Sequence, residues 1–450
     1  MPAAAHLPKG VSPALLARYG GPVPRYTSYP TALNFGPFTP ADLRQGLADH
    51  PARPLSLYVH LPFCRSVCLF CGCHAVHTRD PRRGEAYVGT LLREAEAVAR
   101  WLPGRRPVVQ MHWGGGSPTF HPPEQLARLA DALWQLFYFL PGAERSVEVD
   151  PRVTTPEHLR VLRQAGFNRI SLGVQDFDPA VQRAVNRVQP EAQTLAVMEC
   201  ARSLGFHGIS VDLICGLPRQ TALSFARTVD RVIASAPDRV SIFSFAHLPA
   251  RIPHQRGIDA ADLPAPEERL RCFFQASRAL QEAGWRAIGM DHFARPSDPL
   301  CRALDEGTLH RSFQGYTTHG GADLIGLGAS AISAAGRIYA QNEKDLGTYA
   351  TRVEQEGWAT ARGLRLGEDD LIRRRVVMAL MCRFELDWAR EGYSPSPAEW
   401  SRLESMAGDG LLELDATGLR ATPEGRFFIR SIAQVFDASS APSALCSRAV

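Results

Sequence analysis

Short β-rich runs alternate with helical patterns between about residues 51 and 295. The helical segments carry apolar residues three and four positions apart, as at Tyr87, Leu91, Ala95 and Val98. This alternation predicts repeated βα units around a parallel sheet. The β-rich runs are, in chain order, LSLYVHLPF, PVVQMHWGGG, RSVEVDP, NRISLGVQDF, HGISVDLICGLP and DRVSIFSFAHLP. Six such units predict the α/β class, with an incomplete TIM-like (βα)6 barrel.

Each of these runs leads into a polar or glycine-rich element. The elements are a cysteine-rich loop, GGGSPT, EVDP, QDF, CGLP and AHLP. In a TIM-like barrel the chemistry takes place at the C-terminal ends of the strands. We therefore expect the functional site at this end of the sheet.

The segments outside the βα repeat differ from it in pattern. Residues 1–50, which include PRYTSYPTALNF, predict an N-terminal arm, and residues 51–362 then form the barrel. Residues 363–437 predict a small, mainly helical C-terminal domain whose last hairpin and helix resemble a winged helix. No basic stripe accompanies this module, which favours a structural cap over a DNA-binding role. Residues 438–450 predict a flexible tail.

Composition narrows the function classes. The net charge of +4 over 450 residues is too small to indicate nucleic-acid binding. The apolar stretches are shorter than a membrane span, and MPAAAHLPKG has a proline where a signal peptide carries its apolar run. We therefore expect a cytoplasmic protein that binds neither nucleic acid nor membrane. Scattered single cysteines fit poorly to a disulfide framework.

Four cysteines, Cys64, Cys68, Cys71 and Cys73, lie within ten positions after the first β-rich run. Structural thiols rarely cluster so densely, so the loop indicates metal chemistry. The x3, x2 spacing of the first three differs from the ferredoxin spacings that supply a fourth thiolate. Three thiolates on a 4Fe–4S cube leave one iron open to bind a ligand. Cys73 would have to turn sharply to reach the same cube, and we expect it to be a bystander or a local redox group.

Zinc is the alternative occupant of this loop. Structural zinc usually takes two pairs of ligands separated by a longer loop, and no second Cys or His pair follows at a suitable spacing. His74 and His77 adjoin the loop and could be further ligands, so a zinc site stays an alternative.

Together the motifs resemble a known superfamily. The C-x3-C-x2-C loop, with Phe70 one place before its last cysteine, is similar to that of the radical S-adenosylmethionine (SAM) superfamily. Further motifs resemble one family within it, the oxygen-independent coproporphyrinogen III oxidases, over roughly residues 20–350. These motifs are PRYTSYPTA, YVHLPFC with CGC, HWGGGSPTF, EVDPR, GVQDF, NRVQ, DLICGLP, GMDHFA, FQGYTT and GASAIS.

The resemblance implies a cofactor set and its ligands. One 4Fe–4S cluster would be bound by Cys64, Cys68 and Cys71, and two SAM molecules would lie at the barrel mouth. Tyr58 would pack against the cofactor at the open iron. The remaining cofactor-binding residues carried over are Phe70, Gly115, Gly116, Ser117, Glu148, Gln175, Arg187, Asp212, Ala246 and Ile332. Of these, Gly115 would hold the first SAM and Ile332 would line its adenine.

Some of these residues also have a physical rationale. Glu148 ends its β-rich run with a carboxylate suited to a ribose hydroxyl or an ammonium group. The glycines of GGGSPT let the backbone approach a ligand closely. Asp212 and Arg187 offer opposite charges to an amino acid moiety. His60 shares a strand face with Tyr58, and both are candidate catalytic residues; His60 would shuttle a proton or bind a propionate.

The reaction implied is the anaerobic oxidative decarboxylation of two propionates of coproporphyrinogen III to vinyl groups, giving protoporphyrinogen IX. A 5'-deoxyadenosyl radical would remove the hydrogen atom, because an unactivated C–H bond has no acidity for a general base to exploit. The resemblance further implies a monomer and a low-potential electron donor such as flavodoxin or ferredoxin. Arg25 and Arg311 are expected at the barrel mouth as partners of the substrate carboxylates, with Tyr26 and Tyr29 of the arm as stacking surfaces.

Two other functions stay open at this point. A haem-binding chaperone of the same superfamily would carry haem without decarboxylating it. A radical SAM methyltransferase would use the second SAM for a different substrate. The PRYTSYPTA arm and the CGC ending of the loop favour the oxidase over the chaperone.

Overall fold

The computed structural model describes residues 12–102, 104–439 and 446–449. The strands are β1 (Gly36–Pro37), β2 (Leu55–Leu61), β3 (Phe63–Cys64), β4 (Val76–His77), β5 (Pro107–Gly115), β6 (Tyr138–Val149), β7 (Arg169–Gln175), β8 (Gly208–Cys215), β9 (Arg239–Ser244), β10 (Arg286–Gly289), β11 (His292–Ala294), β12 (His310–Ser312), β13 (Gly315–Thr317), β14 (Asp323–Leu327), β15 (Ile332–Ala335), β16 (Ile338–Asn342), β17 (Thr360–Arg365), β18 (Glu385–Asp387), β19 (Leu412–Leu414) and β20 (Gly418–Ala421).

The α-helices lie between these strands. They are α1 (Pro13–Tyr19), α2 (Pro40–Ala48), α3 (Pro81–Trp101), α4 (Pro123–Leu136), α5 (Pro156–Gln164), α6 (Pro179–Ala184), α7 (Glu191–Ser203), α8 (Ala222–Ser235), α9 (Pro266–Glu282), α10 (Pro299–Asp305), α11 (Leu346–Glu356), α12 (Glu368–Arg383), α13 (Trp388–Glu391), α14 (Pro397–Gly408) and α15 (Ile429–Ala433). Among the described helices, none is long and apolar enough to cross a membrane.

The predicted βα units form one parallel sheet. Its strands lie in the order β2, β5, β6, β7, β8 and β9, each parallel to the next. Strand β14 adds to the other side of β2, also in parallel. The pairing order of the whole sheet has two ends, β1 and β10, within the described part of the chain. The prediction of the α/β class with six βα units is confirmed.

The alternation of side chains along each strand produces the apolar outer face and the polar interior of the barrel. In β8, Val211 and Leu213 are buried in the main apolar core, beneath the helices. The residues between them, Ser210 and Asp212, line a cavity inside the barrel. Successive side chains of a strand point to opposite faces, so an apolar outer face and a polar interior arise from the same strand. The candidate site therefore opens onto a polar lumen.

The N-terminal arm is more structured than the sequence predicts. Helix α2 is closed by a Thr39–Asp42 capping box and buries Leu43 and Leu47 in the barrel core. Tyr26 and Tyr29 are each 1% exposed and pack in a second core with the C-terminal domain. The expectation that these two rings stack on a substrate at the barrel mouth is wrong, because their surfaces are already covered. Residues 1–11 lie outside the described residues.

The described end of the tail is paired with the arm. Residues 446–449 lie along residues 21–23, with the Val23 N–H donating to Ser447 O at 3.1 Å and the Ala449 N–H to Gly21 O at 2.8 Å. The buried Arg430 guanidinium donates to Pro24 O at 3.0 Å and to Arg448 O at 2.7 Å. The prediction of a flexible tail is therefore wrong for residues 446–449, while residues 440–445 and 450 lie outside the described residues.

The C-terminal region contains the predicted hairpin and helix. Strands β19 and β20 form an antiparallel pair, β18 adds to β20, and α15 follows. Helix α12 packs beneath this small sheet and shares its core with the arm tyrosines. The second core is therefore built from both ends of the chain.

A buried carboxylate joins the first helix of the barrel to the sheet edge. Glu94 of α3 is 2% exposed and accepts hydrogen bonds from Gly328 N at 2.7 Å, Asn342 Nδ2 at 2.7 Å and Tyr349 Oη at 2.8 Å. Burial raises the pKa of Glu94 from 4.5 to about 7, even though these donors oppose the rise. Near pH 6, Glu94 is therefore mostly protonated in the folded protein but ionised in the unfolded chain.

We expect the free energy of unfolding to fall as the pH rises from about 4.5 to 7. Glu94 ionises at a lower pH in the unfolded chain than in the folded protein. The free energy of unfolding therefore falls by on the order of 3 kcal/mol across this pH window and does not fall further above it. In Glu94→Gln this part of the slope should disappear. Anaerobic denaturant unfolding at several pH values measures the slope for both proteins. Equal slopes would show that Glu94 does not titrate in this range.

Candidate active site

The cysteine loop lies where the first strand of the barrel ends. Strands β3 and β4 pair in parallel at its base, and Thr78 N donates to Cys64 O at 3.0 Å. Cys68 is buried, Cys64 and Cys71 are half-buried, and Cys73 is exposed. Within the loop, Cys71 N donates to Cys68 O at 3.1 Å. The loop is thus a closed turn that carries all four thiols over the C-terminal end of the sheet.

Two guanidinium groups contact the buried thiol of this loop. Arg187 Nη1 and Arg152 Nη2 each donate to Cys68 Sγ at 3.4 Å. Burial raises the pKa of the Cys64 thiol to about 12, and the neighbouring Cys71 and Cys68 thiols add to the rise. Three mutually close thiols flanked by fixed cations suit a cluster whose thiolate ligands carry net negative charge.

One carboxylate holds both guanidinium groups in place. Asp150 accepts from Arg152 Nη2 at 2.6 Å and lies 3.4 Å from Arg187 Nη1. Burial opposes ionisation of Asp150, but Arg187 and Arg152 together keep the pKa of this carboxyl below its ordinary value. Asp150 and Arg152 belong to the EVDPR motif, but only Glu148 of this motif was predicted from the sequence to bind a cofactor. They orient the cations that face the thiols.

Tyr58 and His60 form a chain of hydrogen bonds beside the loop. His60 is 4% exposed, and burial lowers its pKa to about 4, so the ring is neutral at physiological pH. His60 Nε2 lies 3.0 Å from His74 O and therefore carries the proton, since a carbonyl can only accept. Nδ1 then accepts from Tyr58 Oη at 3.0 Å. With both ring nitrogens bound by protein groups, His60 orients Tyr58, and its role in proton transfer or propionate binding stays a prediction. Tyr58 itself lies in the middle of β2.

The glycine motif is required by the protein's own packing. Gly115 has φ +107°, and a Cβ there would collide with the His60 ring. A Cβ at Gly116 would lie 2.5 Å from the Pro62 backbone. Gly115 N donates to Glu148 Oε2 at 3.1 Å. The glycine backbone was expected to approach a ligand closely. In the structure it approaches His60 and Pro62, and this contact packs the glycine loop against β2.

Two carboxylates face the lumen beneath this loop. Glu148 accepts from His112 Nε2 at 3.2 Å, and although burial opposes ionisation, His112 and Gly115 N keep the pKa of Glu148 below its ordinary value. Asp212 accepts from Ser171 Oγ at 3.2 Å, and burial, with the nearby Glu148, raises its pKa to about 6. Both carboxylates line one cavity of about 200 Å³. This cavity is the polar interior that the alternation of the strands creates.

Buried polar atoms without partners lie between the loop and this cavity. Gln175 has φ +66°, and its Oε1 has no hydrogen-bond partner among the described residues. Arg187 is 8% exposed and donates to Gly173 O at 2.6 Å, but its Nε also has no partner there. Unsatisfied buried polar groups are uncommon in folded proteins and point to a missing ligand. The residues thus fit a bound polar cofactor.

The other predicted residues lie around the same opening. Gln255 Nε2 donates to Phe70 O at 3.3 Å and to Ala246 O at 3.1 Å, which joins these two positions. Ser117 is buried, and its N–H donates to Phe63 O at 2.9 Å. Ile332 begins β15 and lies against Gly326, the residue that pairs with Tyr58 in the sheet. Phe70, Ser117 and Ala246 therefore lie in loops that follow the C-terminal ends of strands.

Some contacts of the site had no signal in the sequence. His254 Nε2 lies 2.7 Å from Cys71 O and helps to hold the loop, although 183 positions separate the two residues. His112 contacts Glu148 and stacks on Tyr58 with ring centroids 6.0 Å apart. His112 lies in the HWGGG motif, in which only the glycines were predicted to contact a ligand. Arg311 lines a cavity at the opposite end of the barrel, so its expected place at the mouth is wrong. Arg25 pairs with Asp291 at 2.7 Å and lies over the Phe243 ring of β9.

Comparisons with known proteins agree on the nature of this site. A family model described as the Radical SAM superfamily matches residues 58–232, and one described as the HemN C-terminal domain matches residues 366–428. Oxygen-independent coproporphyrinogen III oxidase of Pseudomonas aeruginosa is 47% identical over 438 residues, which cover 94% of this chain and 95% of that protein. The Escherichia coli protein of the same name is 46% identical, with 94% of each chain covered.

A solved structure agrees as well. Coproporphyrinogen III oxidase (HemN) from Escherichia coli, a radical SAM enzyme, matches with a TM-score of 0.90 and 45% identity, covering 92% of this chain and 98% of that one. The fold and the cysteine loop thus define a radical SAM enzyme, a class that uses a 4Fe–4S cluster and SAM. Within this class, the chain belongs to the family of oxygen-independent coproporphyrinogen III oxidases.

Proposed function

We propose that this chain catalyses the anaerobic oxidative decarboxylation of two propionate side chains of coproporphyrinogen III to vinyl groups, giving protoporphyrinogen IX. The observation that carries the proposal is the cysteine loop flanked by Arg187 and Arg152, above a polar lumen, in a chain of this family. Neither the haem-binding chaperone nor the methyltransferase has a specific observation in its favour. The test is an anaerobic assay of the reconstituted protein with coproporphyrinogen III, read by product mass.

Cys64, Cys68 and Cys71 would hold the cluster, and Tyr58, Gly115, Glu148 and Ile332 would hold the first SAM. When bound, these cofactors supply the radical that removes a hydrogen atom from the propionate. Arg187 and Arg152 offset the negative charge of the thiolates, and the neutral His60 fixes the Tyr58 hydroxyl. The residues of the chain would thus hold the cofactors and position the reacting propionate.

A second SAM would be bound beside the first by Phe70, Gly116, Ser117, Gln175, Arg187, Asp212 and Ala246. The unpartnered Gln175 Oε1 and Arg187 Nε support this part of the proposal, because they offer an acceptor and a donor to one ligand. Asp212 adds a carboxylate that is ionised above a pH of about 6. A cationic amino group and an anionic carboxylate, both present in SAM, match these groups.

The same proposal includes the partners and the division of the chain. A low-potential carrier such as flavodoxin or ferredoxin would deliver the electrons, and the protein would act as a monomer. Residues 51–362 would form the catalytic barrel and residues 363–437 the C-terminal domain. Leu43 and Leu47 of α2 pack in the barrel core, so this helix would anchor the N-terminal arm to the barrel.

We expect Cys73→Ser to keep the cluster and reductive cleavage of SAM. Cys73 is the exposed thiol of the loop and contacts Cys71, so its loss leaves the other three thiols in place. Iron and sulfide analysis of the reconstituted variant, together with 5'-deoxyadenosine formation, measures both properties. Loss of the cluster in this variant would mean that Cys73 is a ligand.

A further inference from the structure

A second cavity lies at the end of the barrel opposite the cysteine loop. It measures about 460 Å³ and adjoins the first residues of β2 and β14, with α12 of the C-terminal domain on its other side. Its lining is strongly basic, since Asp323 and Glu391 are its only carboxylates in the described part of the chain. The arginines that line it are Arg53, Arg311, Arg374, Arg375, Arg383 and Arg390.

Most of these arginines already have protein partners. Arg53 Nη1 lies 3.5 Å from Asp323, which also pairs with Arg106. Arg383 pairs with Glu391, and Arg375 donates to the Glu391 carbonyl at 3.3 Å. These contacts use both carboxylates of the cavity. Little negative charge is left for the remaining guanidinium groups.

Arg311 is the exception among them. It is 3% exposed, and its Nε and Nη1 have no hydrogen-bond partner within the described ranges. Its guanidinium lies over the Tyr316 ring, 4.7 Å from the centroid, and close to Cys382 of α12. A buried cation with unsatisfied N–H groups is unfavourable unless an acceptor or an anion joins it. The fork-shaped guanidinium matches a carboxylate, which can accept two of its N–H groups.

This cavity adjoins the polar lumen of the barrel. Gln110, Ser312 and Thr317 line both cavities, and the lumen reaches Glu148 and Asp212 at the cofactor end. Strand β5 from Gln110 to Gly115 spans about 17 Å. That length suits a tetrapyrrole with its propionates extended. Phe313 and Tyr339 add aromatic surface to the far cavity.

We propose that Arg311 anchors a carboxylate subsite at the N-terminal end of the barrel, and that this subsite binds propionates of the tetrapyrrole that are not reacting. The inference rests on the proposed function for the identity of the ligand. The ligand then extends through the lumen, with its reacting propionate at the cofactor end and a second propionate on Arg311.

Two variants and a control test this subsite. Arg311→Gln removes the charge, Arg311→Lys keeps the charge but loses the fork, and Arg420→Gln changes an arginine of the C-terminal domain whose side chain is 70% exposed. We expect the KM for coproporphyrinogen III to rise at least about tenfold in Arg311→Gln, because a charge-assisted hydrogen bond is lost. The rise should be smaller in Arg311→Lys and absent in Arg420→Gln. Substrate-independent cleavage of SAM should be unchanged in all three.

A binding measurement separates this inference from the proposed function. Fluorescence titration with coproporphyrin III, which carries the same four carboxylates, and with its tetramethyl ester needs no turnover. The wild type should prefer the free acid, and Arg311→Gln should lose most of that preference without a lower melting temperature, since an unpaired buried charge is removed. Equal preference in wild type and Arg311→Gln would overturn the subsite. Arg311-dependent binding without vinyl formation by the wild type would instead overturn the proposed function and leave a carboxylate site.

Discussion

Replacement of Cys64, Cys68 or Cys71 by serine is expected to remove the iron–sulfur cluster and to bring SAM cleavage and vinyl formation to background. Each thiolate would bind one iron of the cube, and a serine hydroxyl is a poor substitute for a soft thiolate ligand. Cys68 should be the most sensitive position, because Arg187 and Arg152 both donate to its sulfur at 3.4 Å. The measurement is iron and sulfide content after anaerobic reconstitution, with 5'-deoxyadenosine assayed in parallel.

Cys200→Ser is the matched control for this series. Cys200 is also half-buried, but it lies in α7, away from the loop, and its replacement should leave the cluster intact. A single zinc ion and no sulfide in the wild-type protein would contradict the cluster and support the zinc alternative. Retention of a full cluster by Cys68→Ser would contradict the ligand set.

Asp212→Asn is expected to lower SAM binding from two equivalents to about one and to abolish vinyl formation, while the cluster remains. Asp212 lies in the lumen on β8, so its replacement leaves the cysteine loop untouched. Arg187→Ala should cause the same loss and also disturb the loop, because Arg187 contacts both Asp150 and Cys68. Anaerobic equilibrium dialysis with SAM measures the number of equivalents.

The binding should also depend on pH in a defined direction. Burial raises the pKa of Asp212 to about 6, so the carboxylate is protonated below this pH and attracts a cationic ligand less. The affinity for the second equivalent should therefore rise as the pH increases through 6, and Asp212→Asn should be flat. Asp305→Asn, at an exposed carboxylate of α10, is the control. A single equivalent in the wild type would contradict the two-cofactor proposal and leave the radical chemistry intact.

The sequence predicts most of the barrel because its information there is local. In β8, Val211 and Leu213 alternate with Ser210 and Asp212, and this period of two defines both the core face and the lumen face. The cysteine loop is equally local, since four thiols within ten positions are close in any fold. Both features could be read without knowing which strands are neighbours.

Contacts between distant positions could not be read in this way. Asp150, Arg187 and Cys68 meet only because the ends of neighbouring strands converge on one loop. Tyr26 was expected to be exposed because its hydrogen-bond partner, Asp437, lies 411 positions away. The C-terminal domain buries Tyr26, but the sequence of the arm carries no periodic pattern that indicates this contact. Arg311 is one of many arginines, and only the fold shows that it is buried without a hydrogen-bond partner at Nε and Nη1. Neither residue type nor spacing carries that information.

The most direct test of the account is the product formed by the reconstituted wild-type protein under strict anaerobiosis, with coproporphyrinogen III, SAM and a low-potential reductant. The account predicts protoporphyrinogen IX, with two vinyl groups in place of two propionates, two CO2 released, and 5'-deoxyadenosine formed in proportion to the vinyl groups. Stoichiometric haem binding without vinyl product, or a methylated product with all four carboxylates retained, would contradict it.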